Sequence, residues 1–236
     1  MSSKYSKYLV YYNNYQEIYT RPLGYFDPLV EEILKFSEKK EICILDIGCG
    51  FGDLLFSFYT KLGEKSRYYG LTIARHEFEF IQKNRPFIKI TLGRQQDLLK
   101  FFANKKFDIV INFHTLSYIP QNLQLDVTKQ MISILKDNGL LILAYIEDWI
   151  KTSFKIKQGG EGYVQFYYSP WIYSTLDQYC SRIFVKKSRE NYLIEFWRKD
   201  KNKKIGTKGF ILSMFYIIRN NLLFINYLSR LIKKIL

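Results

Sequence analysis

Cysteine, histidine and long apolar runs are all in short supply in this chain. Cys43, Cys49 and Cys180 are the only cysteines among 236 residues, an odd number with no CxxC pair. That argues against a disulfide-stapled secreted scaffold and against a structural zinc site. His76 and His114 are the only histidines, too few for a multi-histidine metal centre. The opening stretch, MSSKYSKYLVYYNNYQE, is polar and carries no apolar segment of signal-peptide type. No uninterrupted apolar run reaches the ~18–20 residues of a membrane-spanning helix; the longest candidate, 210–218, is broken by Arg219-Asn220-Asn221. No GKS or GKT follows a glycine turn, which excludes a phosphate-cradling ATPase loop. The expected setting is a reducing, cytoplasmic one.

What is present is apolar material and positive charge. Hydrophobic residues make up 47% and aromatics 18%, enough for the core of one domain. The net charge of +14 is unevenly spread. From Arg198 onward there are ten basic residues and one acidic one, which puts +9 at the C-terminal end and leaves +5 for the rest.

Tyr5, Tyr8, Tyr11, Tyr12, Tyr15 and Tyr19 recur at spacings of three and four, as on one face of a short helix. Two readings stand: a helix packed on the core, or a lid whose hydroxyls, those of Tyr11, Tyr15 and Tyr19 among them, face a ligand. Arg21-Pro22-Leu23-Gly24 reads as a turn, and Asp27-Pro28 as the cap and first position of a helix. From residue 42 on, short apolar runs alternate with helical periodicity: strands at 42–46, 66–72, 87–92, 107–112 and 140–146, with helices between them. Asp137-Asn138-Gly139 reads as the turn before the last of these strands. Two final strands are expected at 182–187 and 191–198. This rhythm predicts an α/β fold, a three-layer, doubly wound, mostly parallel sheet of seven strands, followed by a C-terminal helical extension.

The chemistry concentrates in Ile44-Leu45-Asp46-Ile47-Gly48-Cys49-Gly50-Phe51-Gly52. Glycines permit a tight turn and close approach of a ligand to the backbone; alone, they fit a nucleotide site, a structural turn or an adenosyl site. The segment LDIGCGFG resembles the first motif of the class I S-adenosylmethionine-dependent methyltransferases, of the kind that act on small molecules, and the resemblance extends over about residues 25–198. It implies S-adenosylmethionine as cofactor. It assigns the turn (Asp46, Gly48, Cys49, Gly50, Gly52) to the methionyl part, with Asp46 helping to hold the amino group. Tyr68-Tyr69-Gly70-Leu71-Thr72-Ile73-Ala74 is similar to the second motif. Most members carry an acidic ribose ligand where this chain has Thr72, a form similar to the cyclopropane fatty acid synthase branch. Thr72 bonds a hydroxyl less strongly than a carboxylate does, so Arg75 or His76 stands as a further ribose candidate. Gln95, Gln96 or Asp97 falls where members bind the adenine amino group. Asn112 and Phe113 end the fourth strand, whose motif faces both cofactor and substrate.

His114 follows directly and reads either as a general base, with an unperturbed pKa near ~6.5, or as a histidine of the cofactor shell. Tyr118 is a second pocket candidate. Glu147 and Asp148 follow the fifth strand, positioned to contact substrate, to accept a proton, or to be solvated. Tyr163, Phe166, Tyr167, Tyr168 and Trp171, in an insert over 151–170, either roof a pocket or pack on the last helix.

No NPPY or DPPY follows the fourth strand, which argues against amino-methylating DNA enzymes, and no RNA-binding module is present, so no nucleic-acid partner is expected. The expected division is an N-terminal helical lid (1–24), a methyltransferase domain (25–198), and a basic linker with an amphipathic tail (199–236). The expected reaction is methyl transfer to a small-molecule hydroxyl, on a sugar, sugar nucleotide or phosphorylated surface-polysaccharide intermediate, the acceptor being anionic in keeping with the basic surface. The alternatives are a lipid or natural-product C- or N-methyltransferase, and an inactive binding subunit on the same fold. The tail reads as an interfacial helix on anionic lipid at the inner face of the membrane, as a helix packed on the domain or on a second subunit, or as a hairpin over the site.

Overall fold

Strands buried on both faces read as continuous apolar runs, and the first of them does so. β1 (Cys43–Ile47) is buried at all five positions. Ile44 packs into one layer of helices, while Leu45 and Ile47 pack into the other, as the alternation of side chains along a strand requires. The computed structural model describes residues 21–37, 41–119, 121–146, 157–159, 163–165, 172–187 and 192–200.

In chain order the elements are α1 (Asp27–Leu34), β1, α2 (Asp53–Leu62), β2 (Arg67–Thr72), α3 (Arg75–Asn84), β3 (Ile88–Leu92), α4 (Leu98–Phe102), β4 (Phe107–Phe113), α5 (Gln121–Ile134), β5 (Leu135–Ile146), a hairpin of β6 (Lys157–Gly159) and β7 (Tyr163–Gln165), α6 (Ile172–Tyr179), β8 (Cys180–Lys187) and β9 (Tyr192–Lys199). The seven-stranded sheet runs β3-β2-β1-β4-β5-β9-β8. β1 to β5 are parallel, and β9 runs antiparallel to both β5 and β8. One apolar layer joins the sheet to α4, α5 and α6 through Leu98, Phe102, Val127, Met131 and Leu176. The other joins it to α1, α2 and α3 through Val30, Ile33, Leu55, Phe58 and Ile81. The three-layer, doubly wound architecture expected from the sequence is the one formed.

Three local expectations are corrected. Asp27 does not cap α1: it is the first helical residue behind Phe26, which makes no side-chain capping bond. The turn before it already carries the backbone into helical geometry, with the Asp27 amide donating to the Gly24 carbonyl at 3.0 Å. Asp137-Asn138-Gly139 does not precede β5 but lies inside it. Pairing with β4 begins at Phe107 opposite Leu135 and resumes with Ile109 opposite Leu140, so the three residues form an irregularity with Asn138 at φ 63°. The third concerns strand ends: β8 starts at Cys180, two residues earlier than expected, and β9 ends at Lys199. The tyrosine-rich segment 1–20 and the tail from 201 lie outside the described residues. No helix among the described residues is long and apolar enough to cross a membrane.

Candidate active site

The strand order reverses between β1 and β4, and ligands of open α/β sheets bind beyond the carboxyl ends of the strands at such a point. There the chain turns through Gly48, Gly50 and Gly52, all at positive φ (73°, 55° and 80°). Two backbone bonds pin the turn to β2: the amides of Gly48 and Cys49 both donate to the Leu71 carbonyl, at 2.7 and 3.1 Å. Thr115, from the short helical turn after β4, lies against Gly48 so closely that a Cβ there would sit 2.0 Å from its Cγ2. Nothing lies within 4 Å of where a Gly50 Cβ would be. A cavity of about 560 Å³ opens over the turn, lined by Gly48 and Gly50 from β1's end, Thr72 and Ile73 from β2's, Arg94, Gln95 and Gln96 from β3's, and Thr115, Tyr118 and Ile119 from β4's.

Glu77 also lines this cavity, and the sequence reading did not single it out. Thr72 donates its hydroxyl hydrogen to Glu77 Oε2 and accepts the Ala74 amide at 3.1 Å. Burial raises the Glu77 pKa, partly offset by the Thr72 hydrogen bond. A carboxyl group therefore stands at the end of β2 after all, supplied five residues late by the first turn of α3. The available signal was a threonine that closes a local turn followed by a glutamate in the first turn of a helix. Arg75 and His76, the other ribose candidates, do not line the cavity. Arg75 is exposed and reaches toward Glu79 at 3.9 Å; the His76 ring lies against Phe51 at 5.7 Å.

Gln95 and Gln96 do line it. Gln95 is held at both ends of its amide, with Nε2 donating to the Thr115 carbonyl at 2.7 Å and Oε1 accepting from Asn112 Nδ2 at 3.1 Å. Asn112 was expected to touch the cofactor. It is instead fully buried, and its Oδ1 accepts from the Thr115 hydroxyl at 3.0 Å and the Leu116 amide at 2.9 Å. Its work is to tie the end of β4 to Thr115 and Gln95. Asp97 heads α4 without a side-chain capping bond and lies outside the lining.

Asp46 is buried in β1 behind the turn, and burial pushes its pKa up to about 7. Its Oδ1 has no hydrogen-bond partner among the described residues, an expensive arrangement for a buried carboxylate that an ammonium group would relieve. Cys49 packs beneath the turn on Gly70, where a Cβ would meet its sulfur at 2.7 Å. Burial and the nearby Asp46 and Glu77 carboxyls hold its thiol well above the usual range. Cys49 lies outside the cavity lining, where its side chain seals the turn against β2. Turn, orphaned carboxylate and open Gly50 together fit S-adenosylmethionine. Asp46, just behind the lining, would help hold its amino group through the turn's backbone or a water, the glycine turn would meet its methionyl chain, and Thr72 with Glu77 its ribose. When bound, that cofactor supplies a methyl group on a sulfonium, open to attack by a nucleophile.

Of the residues expected on the acceptor side, Tyr118 lines the cavity. His114 and Phe113 are half-buried beside it, outside the lining, with their rings in edge contact at 4.8 Å. Phe113 packs on Phe26 at 5.9 Å and so braces the segment leading into α1. His114 holds a left-handed φ of 69°, and burial pushes its pKa down to about 4. The imidazole is therefore neutral near pH 7, the form that accepts a proton, and its burial makes it a weaker base than an exposed one. Tyr163 falls in β7, of which only the backbone is described. Tyr11, Tyr15, Tyr19, Glu147, Tyr167 and Trp171 lie outside the described residues.

Comparison with known proteins agrees with this geometry. The profile of a methyltransferase-domain family matches residues 38–196. A search of curated proteins finds no match. Among solved structures, similar folds include an amino pentose methyltransferase of Micromonospora echinaspora with bound S-adenosylmethionine (14% identity, 76% of this chain and 92% of that one, TM-score 0.62). Another is the magnesium protoporphyrin IX methyltransferase of Synechocystis, also with S-adenosylmethionine (15%, 85% and 99%, TM-score 0.61). A third is the N-methyltransferase NodS of Bradyrhizobium japonicum with S-adenosylhomocysteine (15%, 84% and 99%, TM-score 0.57). With the family profile spanning the glycine turn, the strand ends and the cavity they enclose, the chain belongs to the class I S-adenosylmethionine-dependent methyltransferases.

Proposed function

We propose that this methyltransferase acts on a hydroxyl group of an anionic small molecule, a sugar, sugar nucleotide or phosphorylated surface-polysaccharide intermediate. The coarser statement, methyl transfer from S-adenosylmethionine to a small molecule, follows from the family. The finer one is supported by the polar residues of the lining. Arg94 stands among them with Glu77 and Tyr118, and a guanidinium can share its five donors with an anionic group of an acceptor. Tyr118 offers the cavity a hydroxyl that accepts or donates a hydrogen bond to an acceptor oxygen. Positioning and proton removal are what this displacement needs. His114, Tyr118 and Glu147 are the groups that would move the acceptor's proton. The fold resemblance to an amino pentose methyltransferase is consistent with a sugar acceptor.

Thr72 favours a second reading, C- or N-methylation of a lipid or natural product, because that residue resembles the cyclopropane synthase branch. A panel of phosphorylated sugars, sugar nucleotides, phospholipids and amines, assayed with radiolabelled S-adenosylmethionine, separates the two. Transfer to sugar hydroxyls at least a hundredfold above the other classes is the expected result; transfer confined to neutral, non-sugar acceptors overturns the proposal. For the tail we propose contact with anionic lipid, which would set the enzyme in the cytoplasm at the inner face of a membrane.

A further inference from the structure

Behind the glycine turn lies a second set of contacts, outside the cavity lining. Asp53, the first residue of α2, follows Gly52 directly. Its Oδ1 meets the Arg85 guanidinium at 2.5 Å, and its Oδ2 accepts the backbone amide of Arg21 at 2.8 Å. The side chains of Arg85 and Asp53 are only 12% and 14% exposed. Arg85 comes from the end of α3 and runs beneath the turn: its Nη1 is 3.6 Å from where a Gly52 Cβ would be. The guanidinium rests on the rings of Phe56, at 5.1 Å, and Phe80, at 5.7 Å, and Phe80 in turn stacks edge-on against Phe51 of the turn itself.

We propose that Asp53 and Arg85 are positioning residues for cofactor binding: the pair clamps the glycine turn in its binding geometry, and the second Asp53 oxygen shares that hold with the chain segment preceding α1. The physical reason is the softness of the turn. Three of its five residues are glycines at positive φ, and glycine loses more conformational freedom on ordering than any other residue. Without an external clamp the free protein samples many turn conformations, and the cofactor must select one of them. A charge-assisted bond at low exposure, backed by two aromatic faces, is a strong way to restrict that sampling. Arg21 gives the clamp its second function, because its amide is the point where the chain arriving from residues 1–20 is tied to the donor side of the site.

The test uses the full chain and S-adenosylhomocysteine as probe, with calorimetric Kd and stoichiometry, thermal melting, and hydrogen exchange at the Arg21 amide. Arg85→Met keeps the stem against Phe56 and Phe80 but removes the charge. It is expected to raise Kd at least tenfold at a stoichiometry near one, with Arg21 exchange within threefold of wild type. Asp53→Ala removes both arms and is expected to raise Kd comparably while speeding Arg21 exchange at least tenfold. Should Arg85→Met not fold, Arg85→Lys, which keeps a charge but loses the fork, carries the test with an expected rise of at least fivefold. Kd within twofold of wild type in the folded variants, with only the melting temperature or the binding-competent fraction reduced, would make the pair merely structural and overturn the proposal.

Discussion

At the scale of single residues, Asp46 carries the clearest consequence. Its carboxyl is neutral below its raised pKa of about 7 in the free protein, against ~3.9 in an unfolded chain. The sign follows from linkage. The folded state holds this proton more tightly, so the contribution of Asp46 to stability is fully present below about pH 4 and is lost as pH rises through about 7. Binding an ammonium group runs the other way, since it needs the carboxylate. Affinity for S-adenosylhomocysteine is therefore expected to rise with pH up to about 7 and to level off above it, by as much as ~tenfold per unit on the acid side. Calorimetry between pH 5.5 and 8.5 checks this, and Asp46→Asn should flatten the profile as well as weaken binding. An unchanged profile in Asp46→Asn would assign the dependence elsewhere. None of this was legible in the sequence: LDIGCGFG places an aspartate, but its pKa depends on the depth at which β4 and β2 bury it. His114 teaches the same lesson, since the expected pKa near ~6.5 belongs to an exposed ring and not to this one.

At the scale of elements, the alternation of buried strands and amphipathic helices was readable because the central strands are largely apolar and most turns are marked by glycine, proline or asparagine. Every parallel strand of the sheet lies within a few residues of its expected place, β5 being the widest miss at its start. What could not be read was contact between elements distant in sequence. Asn112 looked like a ligand because it ends a strand at the site, yet a strand end has two faces, and Asn112 turns its amide to Gln95 and Thr115. Glu77 was not singled out, because nothing local announces that α3 starts close enough to Thr72 to bury it. Packing of the β4 turn on the β1 turn is a similar case and gives a sharp prediction. Gly48→Ala puts a methyl 2.0 Å from Thr115 Cγ2 at a φ of 73°. Overpacking of this kind costs about 1–3 kcal/mol and the left-handed backbone about 1–2 kcal/mol more. Urea melts should show a loss in that combined range, with cofactor binding abolished. Gly50→Ala meets no neighbour and should keep the fold within the backbone cost while still weakening cofactor binding, because its methyl would enter the cavity floor.

For the whole molecule, the net charge of +14 divides unequally. Eight basic residues and no acidic one lie within 201–236, beyond the family-matched span. Charge there bears on where the protein sits more than on what it methylates. Deleting 203–236 is expected to abolish co-sedimentation with vesicles containing anionic phospholipid while leaving turnover of a soluble acceptor within twofold; retention on vesicles after deletion would move the contact to the catalytic domain.

The reversal of β9 decides on which side of the sheet the described chain ends. Because β9 runs against its neighbours, its last residues sit where the parallel strands begin. Lys199 Nζ bonds the Leu135 carbonyl at the start of β5, and the Asp200 amide bonds the Tyr179 carbonyl just ahead of β8. The cavity lies at the other end of those strands, roughly 20 Å away at ~3.3 Å per residue. Among the described residues the chain therefore ends on the side opposite the cavity, and none of the lining residues lies beyond Ile119. A reporter joined after Asp200 would start out on the side of the sheet away from the cavity mouth.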